Sequence, residues 1–187
     1  LGATLVAADD PKPREHGRVL LVSLDGLRPE VYRHERFAAP NLRALARRGI
    51  QAKAVVGVFP TVTYPSHATI VTGVRPARHG IHANTVFDPR DGGKRWFWES
   101  AHLRAPTLWD AASRVGLRIA SVRWPVSVGA AITWNLPEVF SADPRGDHWA
   151  PVQAHSTPGL LDELAIEPPA NPWDMVAPDV MATRATV

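Results

Sequence analysis

Apolar residues follow two patterns along this chain, continuous runs and runs with helical spacing. The continuous runs at residues 19–24 (VLLVSL) and 52–59 predict strands buried on both faces, as in a parallel sheet covered by helices. A similar run predicts a strand at residues 117–122. Apolar positions three and four apart predict helices at residues 41–48, 65–72, 107–115 and 158–166. Because strands and helices alternate, the pattern predicts an α/β sandwich with a mostly parallel central sheet.

The helix predicted at residues 107–115 has the clearest end signals. Thr107 is a good N-cap, Asp110 stands three residues later, and Gly116 follows the last helical position. The segment 134–178 is different, because it is rich in Pro, Trp and Asp. It is either a long excursion on the substrate side of the domain or a surface insertion.

The two ends of the chain differ from its middle. Residues 1–17 are predicted to be a leader, and their start, LGATLVAA, is typical either of the end of a signal peptide or of an ordinary apolar terminus. The first alternative predicts a periplasmic or secreted protein. Residues 179–187 look like the opening of a helix without a stop signal, which suggests that the domain, residues 18–187, is truncated there.

Composition excludes several classes of function. The chain has 187 residues, 45% apolar and 21% charged, and no apolar run is long enough for a membrane span. The net charge is only +3 and the basic residues are scattered, so we expect no nucleic-acid partner. With no Cys, the chain has no disulfide, no thiolate zinc site and no Cys nucleophile.

A carboxylate at the end of the first predicted strand is the first candidate for chemistry. Asp25 follows residues 19–24 and precedes Gly26. Ligands of α/β sheets bind at the carboxyl ends of strands, and Asp is a hard oxygen ligand for divalent metals. The alternative is an Asp that only forms a turn before Gly.

A hydroxyl at a predicted helix start is the second candidate. Thr63 lies just after the run 52–59 and two residues before Pro65, where a helix is expected to begin. Its hydroxyl would sit in the positive field of the helix, near N–H groups that can hold phosphate oxygens. From spacing alone, a simple N-cap is the better interpretation. A metal held by Asp25 would favour the interpretation of Thr63 as a nucleophile, because the metal would lower the pKa of the Thr63 hydroxyl.

Three blocks of sequence, 21–26 (LVSLDG), 40–45 (PNLRAL) and 59–84 (FPTVTYPSHATIVTGVRPARHGIHAN), carry a specific resemblance. In their order and spacing they resemble the nucleotide pyrophosphatase/phosphodiesterase branch of the alkaline phosphatase superfamily, over roughly residues 19–125. The resemblance implies an alkaline phosphatase-like three-layer sandwich and two zinc ions. It also implies that Asp25 binds zinc, that Thr63 is the zinc-bound nucleophile, and that Asn84 holds a non-bridging phosphate oxygen.

The same resemblance points to two aromatic residues that bind substrate. Tyr64 stands where the family carries an aromatic residue, usually Phe, which implies one face of a nucleobase slot; the alternative is an aromatic packed at the helix entry. Trp124, in Trp-Pro-Val-Ser, stands where the family has Trp-Pro-Gly-Ser and is expected to line the same pocket. The chain departs from the family at Val128, where an acidic residue is expected, and this puts the identity of the substrate in doubt.

Several histidines are weaker candidates. His67 and His79 match family positions that are structural, and His82 has no assigned role. A metal cluster of loop residues is a further, less favoured possibility; its members would be Asp143, Asp147, His148 and His155. The family's downstream zinc motifs do not occur before Val187, so we expect the chain alone to be inactive and to hold zinc poorly.

These observations favour an enzyme that hydrolyses a small phosphodiester or nucleotide through a covalent threonine intermediate. Another hydrolase of the superfamily, a phosphomonoesterase or a phosphonate hydrolase, is the first alternative, and an inactive truncated chain is the second. Asp25, Thr63 and Asn84 are expected to converge in one cleft at the carboxyl edge of the sheet. The oligomeric state is not predicted.

Overall fold

The chain divides into two compact units, Leu1–Ala52 and Lys53–Val187. The computed structural model describes residues 17–87, 89, 94–141, 143 and 145–170. The predictions for the leader at residues 1–16 and for the helix opening at 179–187 lie outside the described residues.

The first unit contains two short helices, α1 (Pro29–Arg33) and α2 (Pro40–Arg48). The helix predicted at residues 41–48 is therefore confirmed, with Pro40 at a position where its missing N–H costs no hydrogen bond. The Arg43 guanidinium donates a hydrogen bond of 2.9 Å to the Phe37 carbonyl, which ties α2 to the turn before it.

The second unit contains the remaining elements. In chain order they are α3 (Thr63–Thr72), α4 (Pro76–His79), β1 (Thr85–Phe87), β2 (Lys94–Trp96), a 3₁₀ turn (Ser100–His102), α5 (Leu108–Arg114), β3 (Ala120–Val122), β4 (Trp134–Leu136), α6 (Trp149–His155) and α7 (Leu160–Glu163). None of the described helices is both long enough and apolar enough to cross a membrane.

Local signals place α5 and the end of α3 well. The N–H of Asp110 donates to the Thr107 hydroxyl at 3.2 Å, and the N–H of Thr107 donates to the Asp110 carboxylate at 2.7 Å. This reciprocal capping box is the one predicted from sequence. Helix α3 ends at Gly73, whose φ of +67° lies in the left-handed region that glycine adopts at low cost.

The described strands form two separate pairs. β3 lies parallel to β4, with Ala120 opposite Trp134, and this pair gives the second unit its α/β character. β1 and β2 form an antiparallel hairpin, with Thr85 opposite Trp96. The strand predicted at residues 117–122 is confirmed only for its last three residues.

The strands predicted at residues 19–24 and 52–59 are wrong for this structure. Neither segment pairs with another strand in the described part of the chain, and their apolar side chains are exposed, Val19 at 95% and Val56 at 96%. The physical reason is that a strand buried on both faces needs hydrogen-bonded neighbours as well as apolar residues. An apolar run predicts the burial that a strand would require, but not its partners.

The segment that begins at residue 134 builds a core. A cluster of buried side chains in this region consists of Val128, Leu136, Val139, Val152, Leu160 and Ile166. The alternative of a surface insertion is therefore wrong for residues 134–166. A second cluster surrounds α3 and consists of Tyr64, Ala68, Ile81, Phe97 and Val126. Trp98 packs against both clusters and so connects α3 with the later segment.

Candidate active site

Helix α3 places Thr63 at its first position. Val62 is the N-cap, with extended backbone, and Thr63 begins the helix with a half-buried side chain. Thr63 is therefore not the N-cap, which was the simple alternative to a nucleophile. A hydroxyl on the first helical residue lies in the positive field at the helix N-terminus, which favours its ionised form and a nearby anion.

Asn84 lies at the same end of α3. Its side-chain oxygen accepts a hydrogen bond of 3.0 Å from the backbone N–H of Tyr64. Its own carbonyl accepts a bond of 3.1 Å from the Phe97 N–H, at the mouth of the β1–β2 hairpin. Asn84 is thus held from both sides next to the residue that follows Thr63. Because its Oδ1 is the acceptor, its NH₂ group is the donor that remains for another partner.

The N–H groups in the first turn of α3 are largely used. That of Tyr64 donates to Asn84, Pro65 has none, and that of Ser66 donates to the Val62 carbonyl at 3.2 Å. The helix therefore offers a phosphate fewer backbone donors than expected. This makes the side-chain NH₂ of Asn84 the more important candidate.

Trp124 also lies beside α3. Its ring contacts that of His67, one turn after Thr63, in an edge-to-face arrangement with 5.2 Å between ring centres. Its indole N–H is buried and has no hydrogen-bond partner among the described residues. The structure thus brings Thr63, Asn84 and Trp124 to one helix end, although the contact of Trp124 with a substrate stays a prediction.

Tyr64 is fully buried. It has no exposed surface, and its ring centre lies 5.4 Å from that of Trp96. This matches the packed alternative for Tyr64, because a base can stack only on a ring that is accessible. Its role in substrate binding stays a prediction that requires the ring to become exposed.

The hydroxyl of Tyr64 is in an unusual environment. Burial raises its pKa above the ordinary value, and the negative charge of Glu138 raises the pKa further. The hydroxyl is enclosed, yet no hydrogen bond of acceptable geometry joins it to a described residue. Tyr64 is therefore a neutral phenol in an apolar cluster, and the burial of its oxygen destabilises the folded state.

We expect Tyr64→Phe to leave stability unchanged or to raise the free energy of unfolding by up to about 1 kcal/mol, because the variant removes a buried hydroxyl that has no hydrogen-bond partner among the described residues. The measurement is denaturant unfolding of both proteins. The other tyrosine, Tyr32, lies in the first unit and provides the control, since Tyr32→Phe is expected to have almost no effect. A loss of more than about 1 kcal/mol in Tyr64→Phe would show that the hydroxyl donates to Glu138 after all.

Asp25 lies in the first unit. It occupies a turn, is exposed, and precedes Gly26, whose φ of +68° favours glycine. This local conformation agrees with the turn alternative and leaves its carboxylate accessible. The predicted convergence of Asp25 with Thr63 and Asn84 stays a prediction.

The histidines of the long block have local partners. Nδ1 of His79 accepts from the Ile81 N–H at 3.1 Å, and its Nε2 lies 3.0 Å from the Thr69 hydroxyl, so both nitrogens are engaged. Burial lowers the pKa of His79, which favours the neutral ring. His82 is exposed, with Nδ1 3.0 Å from the Gly80 carbonyl.

Two of the residues proposed as an alternative metal cluster form hydrogen bonds with the main chain. The Asp147 carboxylate accepts from the Trp149 N–H at 2.7 Å, at the start of α6. Nδ1 of His148 accepts from the Ser141 N–H at 3.1 Å. Among the described residues, no group of three or more His, Cys, Asp or Glu side chains is placed to hold a metal ion.

Glu138 is the residue of this region that sequence reasoning missed. It lies in Leu-Pro-Glu-Val, inside the segment interpreted as an excursion, and no local pattern distinguishes it from a solvated acid. Its significance arises from its negative charge, which raises the pKa of the Tyr64 hydroxyl although the two residues are far apart in sequence. Only the tertiary structure can show such a pairing.

Comparison with known proteins shows which family the chain resembles. The family model described as type I phosphodiesterase/nucleotide pyrophosphatase matches residues 19–177. An uncharacterised pyrophosphatase/phosphodiesterase of Schizosaccharomyces pombe is 38% identical over 114 residues, which is 57% of this chain and 23% of the relative. A bis(5'-adenosyl)-triphosphatase of Xenopus laevis is 30% identical over 132 residues, 66% of this chain and 28% of the relative. The chain thus spans less than a third of the length of these two relatives.

A solved structure is also similar. The inactive form of murine ectonucleotide pyrophosphatase/phosphodiesterase 5 in complex with AMP has a TM-score of 0.49 and 21% identity, with 88% of this chain and 49% of that chain covered. The family model covers most of the chain and includes all the blocks singled out above. This chain therefore belongs to the type I phosphodiesterase/nucleotide pyrophosphatase family.

Proposed function

We propose that this chain carries the nucleophile of an enzyme that hydrolyses phosphodiester or pyrophosphate bonds, with nucleotides as the substrate class. The observation that carries the proposal is the hydrogen bond from the Tyr64 N–H to Asn84, 3.0 Å long, which fixes an amide donor beside Thr63 at the N-terminus of α3. A nucleophile, an oriented donor and a helix dipole at one point are suited to an anionic phosphate. The family match supports the same class of reaction.

The proposed reaction has two steps. In the first, Thr63 Oγ1 bonds to phosphorus and loses its proton, while the bond from phosphorus to the leaving oxygen breaks and the leaving group takes up a proton. In the second, a water oxygen bonds to phosphorus and the bond from phosphorus to Thr63 Oγ1 breaks, which restores the hydroxyl. The covalent intermediate divides one difficult displacement into two easier ones.

Asn84 stabilises the charge that develops on the phosphoryl group. Its Oδ1 is held by the Tyr64 N–H, so its NH₂ group can donate to a non-bridging oxygen without a change in side-chain orientation. A donor that is already oriented costs no reorganisation when the charge develops. The proposed role of Asn84 therefore follows from its own hydrogen bonds.

Two zinc ions are part of the proposal for the complete enzyme. The Asp25 carboxylate and the Thr63 hydroxyl are the donors proposed here, and a carboxylate is a suitable zinc ligand. A catalytic zinc usually has three protein ligands, and the described residues contain no cluster of three His, Cys, Asp or Glu side chains. These donors therefore do not complete a site. When bound, zinc would lower the pKa of the hydroxyl and neutralise charge.

An activity assay tests the proposal. The enzyme that contains this chain is expected to hydrolyse bis(4-nitrophenyl) phosphate and diadenosine triphosphate, and to lose that activity when a chelator removes zinc. 4-Nitrophenyl phosphate and a phosphonate ester are the comparison substrates for the two alternative hydrolases. Preference for either comparison substrate, or activity that chelation leaves intact, would contradict the proposal.

We also propose that the protein is periplasmic or secreted. The support is the small-residue sequence LGATLVAA at residues 1–8, which is typical of the end of a signal peptide. N-terminal sequencing of the protein recovered from the periplasm or the medium tests this. Recovery in the cytoplasm alone would contradict it.

A further inference from the structure

From the contacts at the N-terminus of α3, we infer that His67 is a positioning residue. It connects the main chain of Thr63 to the ring of Trp124, so that the nucleophile and the predicted wall of the substrate pocket keep a fixed spacing. The inference rests on the proposed function, because it assumes that Thr63 and Trp124 belong to one site.

The first contact is made to the nucleophile's own backbone. His67 lies one helical turn after Thr63, and its Nδ1 is 2.8 Å from the Thr63 carbonyl oxygen. A carbonyl only accepts, so the hydrogen of this bond is on Nδ1 of the ring. With His67 only 7% exposed, the bond is shielded from competition by water. The side chain thus reinforces the first turn of α3 at the residue that carries the hydroxyl.

The second contact is made to Trp124. The two rings meet at 78° with 5.2 Å between their centres, the edge-to-face geometry that aromatic pairs prefer. A single imidazole therefore touches both the backbone of Thr63 and the indole of Trp124. Simple core packing would explain burial, but it does not require a polar contact to the nucleophile's carbonyl.

The loop that carries Trp124 is itself fixed. The Ser127 hydroxyl donates to the Trp124 carbonyl at 2.7 Å, and the Asn135 amide donates to the Ser127 carbonyl at 2.7 Å. Within this loop Val126 has a φ of 58°, a conformation that a β-branched residue adopts only when its surroundings impose it. Rigid contacts thus hold Trp124 from behind, and the His67 ring transmits that position to α3.

Two variants separate the two contacts. His67→Phe keeps an aromatic ring against Trp124 but removes the donor to the Thr63 carbonyl. His67→Asn keeps a donor close to the position of Nδ1 but removes the ring. His102 provides the matched control, because its Nδ1 lies 3.2 Å from the Glu99 carbonyl and its ring meets Phe97 edge-to-face at 5.2 Å. Unlike His67, it is exposed and outside the proposed site.

In the enzyme that contains this chain, one variant is expected to change mainly kcat and the other mainly KM. His67→Phe should lower kcat about tenfold with little change in KM, because the nucleophile loses its fixed position. His67→Asn should raise KM about threefold, because Trp124 loses its aromatic neighbour. The same changes at His102 should alter neither constant. Variants that are only less stable, with wild-type kcat and KM for the folded fraction, would overturn the inference.

A measurement without catalysis distinguishes this inference from the proposed function. In the 187-residue chain, the indole N–H signal of Trp124 is assigned by its loss in Trp124→Phe. It should shift in His67→Asn and stay in place in His102→Asn. If the His67 variants do not fold, Trp124→Phe should instead shift the ring signals of His67 and leave those of His102 unchanged. Absence of both shifts would overturn the coupling, whereas shifts in an enzyme without diesterase activity would contradict only the proposed function.

Discussion

Thr63→Ala is expected to reduce turnover of a phosphodiester by a factor on the order of 10⁴ to 10⁶ while the fold remains intact. In the proposed reaction the hydroxyl forms the covalent bond to phosphorus, so its removal should delete that step rather than slow it. The structure makes this a clean test, because Val62 and not Thr63 is the N-cap of α3. Loss of the side chain should therefore not unwind the helix start.

Thr63→Ser provides the matched variant. It keeps a hydroxyl at the first position of α3 and loses only a methyl group, so it should retain measurable activity. The assay is hydrolysis of bis(4-nitrophenyl) phosphate by the enzyme that contains this chain, with helix content followed by circular dichroism. Near-normal turnover in Thr63→Ala would show that another group attacks phosphorus.

Local signals predicted α2 and α5 well, whereas α1, α4 and α6 were not predicted. The capping box of Thr107 and Asp110 lies within four residues, so the sequence alone contains everything that α5 needs at its start. The sequence predicts that α3 begins at Pro65, but the helix begins two residues earlier, at Thr63, and Pro65 occupies its third position. Any first-turn N–H lacks a helical acceptor, so Pro fits there also.

Strands were predicted less well because their partners are distant in sequence. Residues 19–24 and 120–122 both follow apolar patterns, but only the second has a neighbour, β4, within the described residues. Periodicity reports which side chains prefer burial and says nothing about which backbone groups pair. The α/β class, and the alkaline phosphatase-like sandwich implied by the resemblance, nonetheless agree with the family match over residues 19–177.

The candidate site shows the same difference between local signals and contacts that are distant in sequence. Spacing alone favours a simple cap for Thr63, and only the resemblance singles out Asn84. The Asn84 side chain accepts a hydrogen bond from the N–H of Tyr64, which is 20 residues away in sequence. The effect of the Glu138 charge on Tyr64 and the contact of His67 with Trp124 lie outside any local motif. The candidate residues for chemistry were thus named from the sequence, whereas the side chains that contact them required the structure.

Asn84→Ala is expected to lower kcat by a factor of about 10² to 10³, equivalent to roughly 2.7–4 kcal/mol in the barrier, as for one oriented donor in an oxyanion site. The reason is that its NH₂ group is the candidate donor at a helix end where the Tyr64 and Ser66 N–H groups are already used. The measurement is single-turnover hydrolysis, which reports the chemical step without product release.

Asn84→Asp tests whether the donor or the acceptor of the amide matters. The carboxylate can still accept from the Tyr64 N–H, which is now bonded to Asn84 at 3.0 Å, so the support of the helix start is kept. However, it donates nothing and places a negative charge beside the phosphate. If Asn84 acts as a donor, the Asp variant should be at least as impaired as Ala, with equal or greater stability to denaturant. If Asn84 only anchors α3, the Asp variant should retain turnover close to wild type, and its assignment to the phosphoryl group would be wrong.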